Sequence, residues 1–220
     1  LTTQIDNGAA ELLDVKLFYE LRVQGHSVDL MSIYSKEYAY SGNPDKSYIA
    51  HTSFLGLKPG FGKFLFILHA LKLAFLIYYK RYDILQTSLT GATFLGATAR
   101  LFSKCGHIVG IHQVYTEKYN NTVYERLMLR LFSKKRTLFY AVSKYAKDAW
   151  IEYANVSQDR VSVVYNYIDE NMALKTLDKN SERLIKNIKF NSSSKVIVNV
   201  GRVCSQKNQW LIVDALKYDL

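Results

Sequence analysis

Apolar and polar positions along the chain form two alternating kinds of run. Short apolar runs bounded by polar or turn-forming residues predict strands over 27–34, 83–89, 107–112, 137–143 and 160–165. Between them, helical spacing predicts helices over 8–24, 61–82, 90–104, 121–135 and 144–155. Glu11 falls in the first turn of the first helix and Gly25 closes it. The opening LTTQID reads as the remnant of a strand, and 35–60, which holds both prolines, is ambiguous. Strand–helix alternation of this kind argues for a parallel α/β sheet with helices on both faces.

The rhythm breaks at 169–194, a polar stretch rich in Lys and Asn with at most a short helix over 181–189, which reads as an interdomain linker. Beyond it come an apolar strand, 195–203, and a helix, 208–218. The expected organisation is a parallel α/β domain over 1–168, a linker over 169–194 and the incomplete start of a second domain over 195–220. One strand and one helix cannot bury their own apolar faces, so the rest is expected from a longer chain or from a partner.

Composition narrows the class. The chain has 220 residues, 49% hydrophobic, and a formal charge of +10. Between 61 and 160 stand fifteen Lys and Arg against six Asp and Glu, an excess of nine. A basic surface favours nucleotide phosphates, acidic lipid headgroups or nucleic acid, and serves equally as plain solubilising charge. No nucleic-acid motif accompanies it. The stretch 61–82 is apolar, but Lys63, His69 and Lys72 interrupt it, so it reads as a buried or interfacial helix rather than a membrane span. No signal peptide is expected. Cys105 and Cys204 form no CxxC pair, which argues against a zinc site or disulfide framework and fits a reducing cytoplasm.

Candidate chemistry concentrates at 196–215, VIVNVGRVCSQKNQWLIVDA. An apolar strand ends in Gly201, Arg202 follows at once, and Lys207 lies just before a helix. Two cations at such a place suit a diphosphate, and fixed positive charge favours a transition state in which that diphosphate is leaving. Solvated loop cations are the plain alternative. GLKPGFGKF at 56–64 imitates a phosphate loop with the wrong glycine spacing, and no GxGxxG follows a strand.

The segment VNVGRVCSQKNQ resembles the start of the donor domain in family 4 glycosyltransferases. NGAAE at 7–11, GHSV at 25–28, FYAVSKYAKDAWIEY at 139–153 and DRVSVVYNYID at 159–169 resemble further segments of that family in the same order. The resemblance implies a GT-B fold, with 1–168 as the acceptor-side domain and 195–220 opening the donor-binding domain. It implies a retaining, metal-independent transfer, without cofactor, from a nucleotide-sugar to a saccharide or lipid-linked acceptor, in surface polysaccharide biosynthesis. Arg202 and Lys207 would hold the donor pyrophosphate, and Gly8 would let the backbone approach the donor phosphates or the acceptor. His112, the catalytic candidate, would contact the transferred sugar from the carboxyl edge of the sheet; a hydrogen-bonded strand-end histidine is the bland alternative. Ser143 and Asn166 read as an N-cap and a turn residue.

The sequence departs from the family pattern at Ala9, at Tyr167, and at Gln86, Thr87 and Ser88, where the family often carries a histidine. The family's paired glutamates would lie beyond Leu220, so these 220 residues alone are expected to be inactive. A non-catalytic acceptor- or membrane-binding half is the alternative function. The basic excess and the aromatic helix lead to an expected cytoplasmic location, with peripheral contact at the anionic inner face of the membrane.

Overall fold

Alternating burial along the strands decides how this chain layers. The computed structural model describes residues 1–2, 9–34, 52–58, 63–115, 136–167, 196–201, 203–204 and 207–217. They belong to two compact units, Leu1–Tyr167 and Ile168–Leu220. The first contains α1 (Ala9–Val23), β1 (Leu30–Tyr34), β2 (Thr52–Leu57), α2 (Lys63–Lys80), β3 (Ile84–Ser88), α3 (Thr90–Arg100), β4 (Gly106–Ile111), β5 (Thr137–Ala141), α4 (Lys144–Ala154), a 3-10 turn (Gln158–Arg160) and β6 (Val161–Val163).

β1 pairs with β2, and β3, β4, β5 and β6 pair in that order, all parallel. Leu1 and Thr2 stitch the two ladders together. Thr2 N donates to Met31 O (2.9 Å) and Ile33 N to Thr2 O (3.0 Å), while Leu1 N donates to Gln86 O (2.6 Å) and Ser88 N to Leu1 O (3.2 Å). Across the sheet the order is therefore β2, β1, Leu1–Thr2, β3, β4, β5, β6. Chain progression reverses between Leu1–Thr2 and β3, the switch point beside which open α/β sheets bind ligands.

One sheet face is covered by α2, α3 and α4. Met31, Ile33, Leu55 and Leu85 pack there against Leu73, Ile77 and Leu95; Val109, Ile111, Phe139 and Val161 pack against Trp150 and Tyr153. α1 lies on the opposite face, where Val15 and Phe18 meet Leu30. Its end is a Schellman closure: Gly25 takes φ +88°, Gly25 N donates to Arg22 O and His26 N to Leu21 O. Ser143 caps α4 by accepting from Ala146 N (3.1 Å), and Asn155 ends it in the left-handed region.

Two boundaries differ from expectation for visible reasons. β2 escaped notice because Gly56, at φ +88°, makes a bulge where Tyr34 pairs with Leu57, and the bulge breaks the period of two. In the second unit, α5 (Trp210–Leu216) starts later than 208 because Asn208 sits at φ +47°. The strand expected over 195–203 is a correction: described residues 196–201 and 203 form no ladder, and Val198 and Val200 are exposed. An apolar run becomes a strand only with a neighbour to take its N–H and C=O groups. The helix expected over 121–135 and the linker's short helix over 181–189 lie outside the described residues.

Candidate functional site

Parallel register puts Ser88, Gly110 and Tyr140 side by side across β3, β4 and β5, on the face that carries α1. Gln86 lies two residues earlier on that face, and His112 follows the end of β4. The rings of His112 and Tyr140 meet edge to face, with centroids 5.8 Å apart at 89°. Tyr140 Oη is 3.4 Å from His112 Nε2 and accepts from Gln86 Nε2, also at 3.4 Å. Gly110 makes this possible. A Cβ there would stand 2.5 Å from Tyr140 Oη and 2.8 Å from His112 Nε2.

α1 supplies the carboxylates. Glu11 and Asp14 are one turn apart, so both face the sheet. Ser88 Oγ donates to Asp14 Oδ1 at 2.8 Å, while Asp14 Oδ2 is buried without a hydrogen-bond partner. Beyond β3 the chain enters α3 through Leu89, a non-glycine residue at φ 70°, ψ 153°. Such strain, about 1–3 kcal/mol, gathers at functional sites. Thr90 Oγ1 then lies 3.0 Å from Tyr115 Oη.

Electrostatics keeps the centre of this cluster neutral. Burial lowers the His112 pKa, against the raising influence of Glu11. Burial raises the Tyr140 pKa, and Asp14 raises it further. The Asp14 carboxyl is raised by burial and pulled back by hydrogen bonds from Ser88 and Gln86. At neutral pH the site therefore offers a neutral imidazole and a protonated phenol beside the carboxyl groups of Glu11 and Asp14, a set suited to binding hydroxyl groups. Cys105 is buried and Cys204 half-buried, and the described residues bring together no cluster of His, Cys, Asp and Glu fit for a metal ion.

Of the residues singled out from sequence, His112 lies in this cluster. Lys207 belongs to the second unit, where its stem lies over Gly201, Cγ being 3.6 Å from the place of a Cβ. Lys207 N and Asn208 N both donate to Cys204 O, closing a turn before α5. Gly8 and Arg202 lie outside the described residues. Asp14, Gly110 and Tyr140 escaped sequence reasoning, and Glu11 was read only as a first-turn acid, yet it is buried. In the sequence Gln86 and Ser88 stand out only as departures, at positions where the family often carries a histidine.

The sequence profile described as Glycosyltransferase Family 4 matches residues 16–171, a span that runs through β1–β6 and includes His112 and Tyr140. The chain belongs to Glycosyltransferase Family 4. Solved structures carry the same fold as this family member. A glycosyltransferase from Rickettsia africae is 16% identical over 99% of the chain, with a TM-score of 0.67. Anabaena HepE, solved with UDP and glucose, is 17% identical over 99%, with a TM-score of 0.69. HepE solved with UDP-glucose gives 17%, 99% and 0.68. The chain spans 56% of the length of each. These relatives assign the GT-B class, of which the parallel sheet above is the Rossmann-like part. Comparison with curated proteins finds no match.

Proposed function

We propose that this family 4 member transfers a sugar from a nucleotide-sugar, with retention at the anomeric carbon, to a saccharide or lipid-linked saccharide acceptor in surface polysaccharide biosynthesis. The observation that carries the reading is the polar cluster around His112, with Tyr140, Gln86, Ser88 and Asp14. It lies at the switch point of a sheet whose backbone follows HepE, a protein solved with UDP-glucose. His112 contacts the transferred sugar. Arg202 and Lys207 bind the diphosphate, and Gly8 lets the backbone approach the donor phosphates or the acceptor. Charge grows on the diphosphate as its bond to the sugar breaks, so these two cations favour the transition state over the ground state. The acceptor attacks from the side the leaving group departs, and the departing phosphate takes the acceptor's proton. Fixed cations supply the neutralisation, so no metal is required.

The place of action is the inner, cytoplasmic face of a membrane. Among the described residues no helix is long and apolar enough to cross one. α2 instead exposes Ile67, Leu71, Phe75 and Tyr78 along one stripe, with Tyr79 beside it. Arg81 and Lys104 line a cavity of about 810 Å³ together with Tyr78, Tyr79 and Phe102. Aromatic rings next to cations support reversible contact with anionic lipid.

Calorimetric titration of the full-length protein with UDP, GDP and their hexose conjugates tests the donor assignment. Saturable binding of one base series is expected, weakened in Lys207→Ala. Binding to none of them would remove the nucleotide-sugar reading.

A further inference from the structure

A neutral His112 carries its single ring proton on either Nδ1 or Nε2. The surrounding hydrogen bonds bear on this. Gln86 Nε2 is a donor and faces the oxygen of Tyr140 at 3.4 Å. With its oxygen accepting from Gln86, the Tyr140 hydroxyl has its own proton to give, and His112 Nε2 stands 3.4 Å away. The edge-to-face packing of the two rings fixes their relative orientation, and the missing side chain at Gly110 leaves the hollow over which they meet. A nitrogen that accepts a hydrogen bond cannot hold the ring proton of a neutral imidazole.

We propose that Gln86 and Tyr140 form a one-way donor chain, Gln86 N–H to Tyr140 O–H to His112 Nε2, which holds His112 as the neutral tautomer protonated at Nδ1. Tyr140 is thus a positioning residue. His112 then offers a fixed N–H donor, rather than a bare nitrogen, to an oxygen of the bound sugar. The tautomer stands on the geometry alone; its use on a sugar rests on the function proposed above. Both distances, 3.4 Å, are at the long end for hydrogen bonds.

The charged groups around the imidazole act in known directions. Burial favours the neutral ring, whereas Glu11, from α1, favours the imidazolium. Burial, and after it Asp14 on α1, raise the Tyr140 pKa against the lowering influence of Ser88, so the phenol stays protonated and able to donate.

Nitrogen-15 NMR of the His112 ring reads the tautomer directly and needs no turnover. The wild-type protein is expected to show Nδ1–H at neutral pH. Tyr140→Phe, which keeps the ring and removes the donor, is expected to move the proton to Nε2, the form free histidine favours, and to shift His112 titration to higher pH. Gln86→Met, of similar volume, is expected to give a mixture of the two tautomers. In an active full-length preparation, Tyr140→Phe should lower kcat about tenfold, a loss of about 1.4 kcal/mol, with KM little changed. A wild-type ring protonated at Nε2, or a Tyr140→Phe ring still protonated at Nδ1, overturns the donor chain. Absence of transfer with the Nδ1–H tautomer intact would count against the enzyme reading and leave the chain standing.

Discussion

Gly110 is where a single added methyl group tests the site's architecture most sharply. In Gly110→Ala the new Cβ would lie 2.5 Å from Tyr140 Oη, 2.7 Å from Tyr140 Cζ and 2.8 Å from His112 Nε2. Non-bonded carbon contacts settle near 3.5–4.0 Å, so both rings must retreat by roughly 1 Å. Overpacking of this kind costs about 1–3 kcal/mol, and separating the rings forfeits about 0.5–1.5 kcal/mol of edge-to-face attraction. Alanine restricts the unfolded chain and returns about 0.4–1 kcal/mol. The net expectation is a loss of about 2 kcal/mol, within bounds of roughly 0.5–4 kcal/mol, or about 4–8 °C in Tm for a unit of this size. Gly106→Ala, on the same strand, is the control. Its Cβ would meet Asp83 O at 3.5 Å, an ordinary contact, so Tm should hold or rise slightly. Thermal unfolding by circular dichroism compares the two. Equal Tm values for Gly110→Ala and wild type would refute the reasoning, because the rings would then not lie over Gly110.

Four further outcomes are expected. His112→Ala should abolish transfer while its Tm falls only slightly, since the half-buried ring packs mainly on Tyr140; a folded variant with wild-type rates would make His112 structural. Arg202→Ala and Lys207→Ala should each lower turnover about 10²-fold, or about 2.7 kcal/mol, with little effect on folding, as steady-state kinetics on the full-length protein would show. His107 is buried, bonds Thr87 Oγ1 at 2.8 Å, and has its pKa pushed down to about 3, chiefly by burial and then by Arg100. Its neutral form stabilises the fold fully above about pH 6.5 and progressively less as pH falls toward 3, by up to roughly 4–5 kcal/mol; urea titrations should show that slope flattened in His107→Gln. Vesicle sedimentation should show binding to anionic but not neutral lipid, lost as salt rises and weakened in Phe75→Ser/Tyr78→Ser; equal binding by the double variant would clear α2 of the role.

The fold was readable because its signals are local. Gly25 and Asn155 close helices by taking positive φ, Ser143 caps α4, and the apolar runs of β3, β4 and β5 alternate with helical spacing. β2 was hidden by a bulge, and the strand over 195–203 failed because pairing is a property of two segments and not of one. His112 was legible through the family resemblance and its place at a strand end. Tyr140, Gly110 and Asp14 were not, since each acquires meaning only from parallel register. Tyr140 reaches Gly110 across adjacent strands 30 residues apart in sequence, and Asp14 reaches Ser88 across 74. Periodicity reports which face a side chain takes, never which partner stands opposite.

Glycosyl transfer itself is the central claim, and product analysis on the full-length protein tests it most directly. The protein would be incubated with UDP-glucose and related nucleotide-sugars, together with free and lipid-linked saccharides. Proton NMR would then follow donor loss and the anomeric configuration of the product. The account predicts acceptor-dependent release of the nucleoside diphosphate, a product with the donor's own anomeric configuration, and no product with His112→Ala. A donor left intact across the whole panel, or a product of inverted configuration, would contradict it.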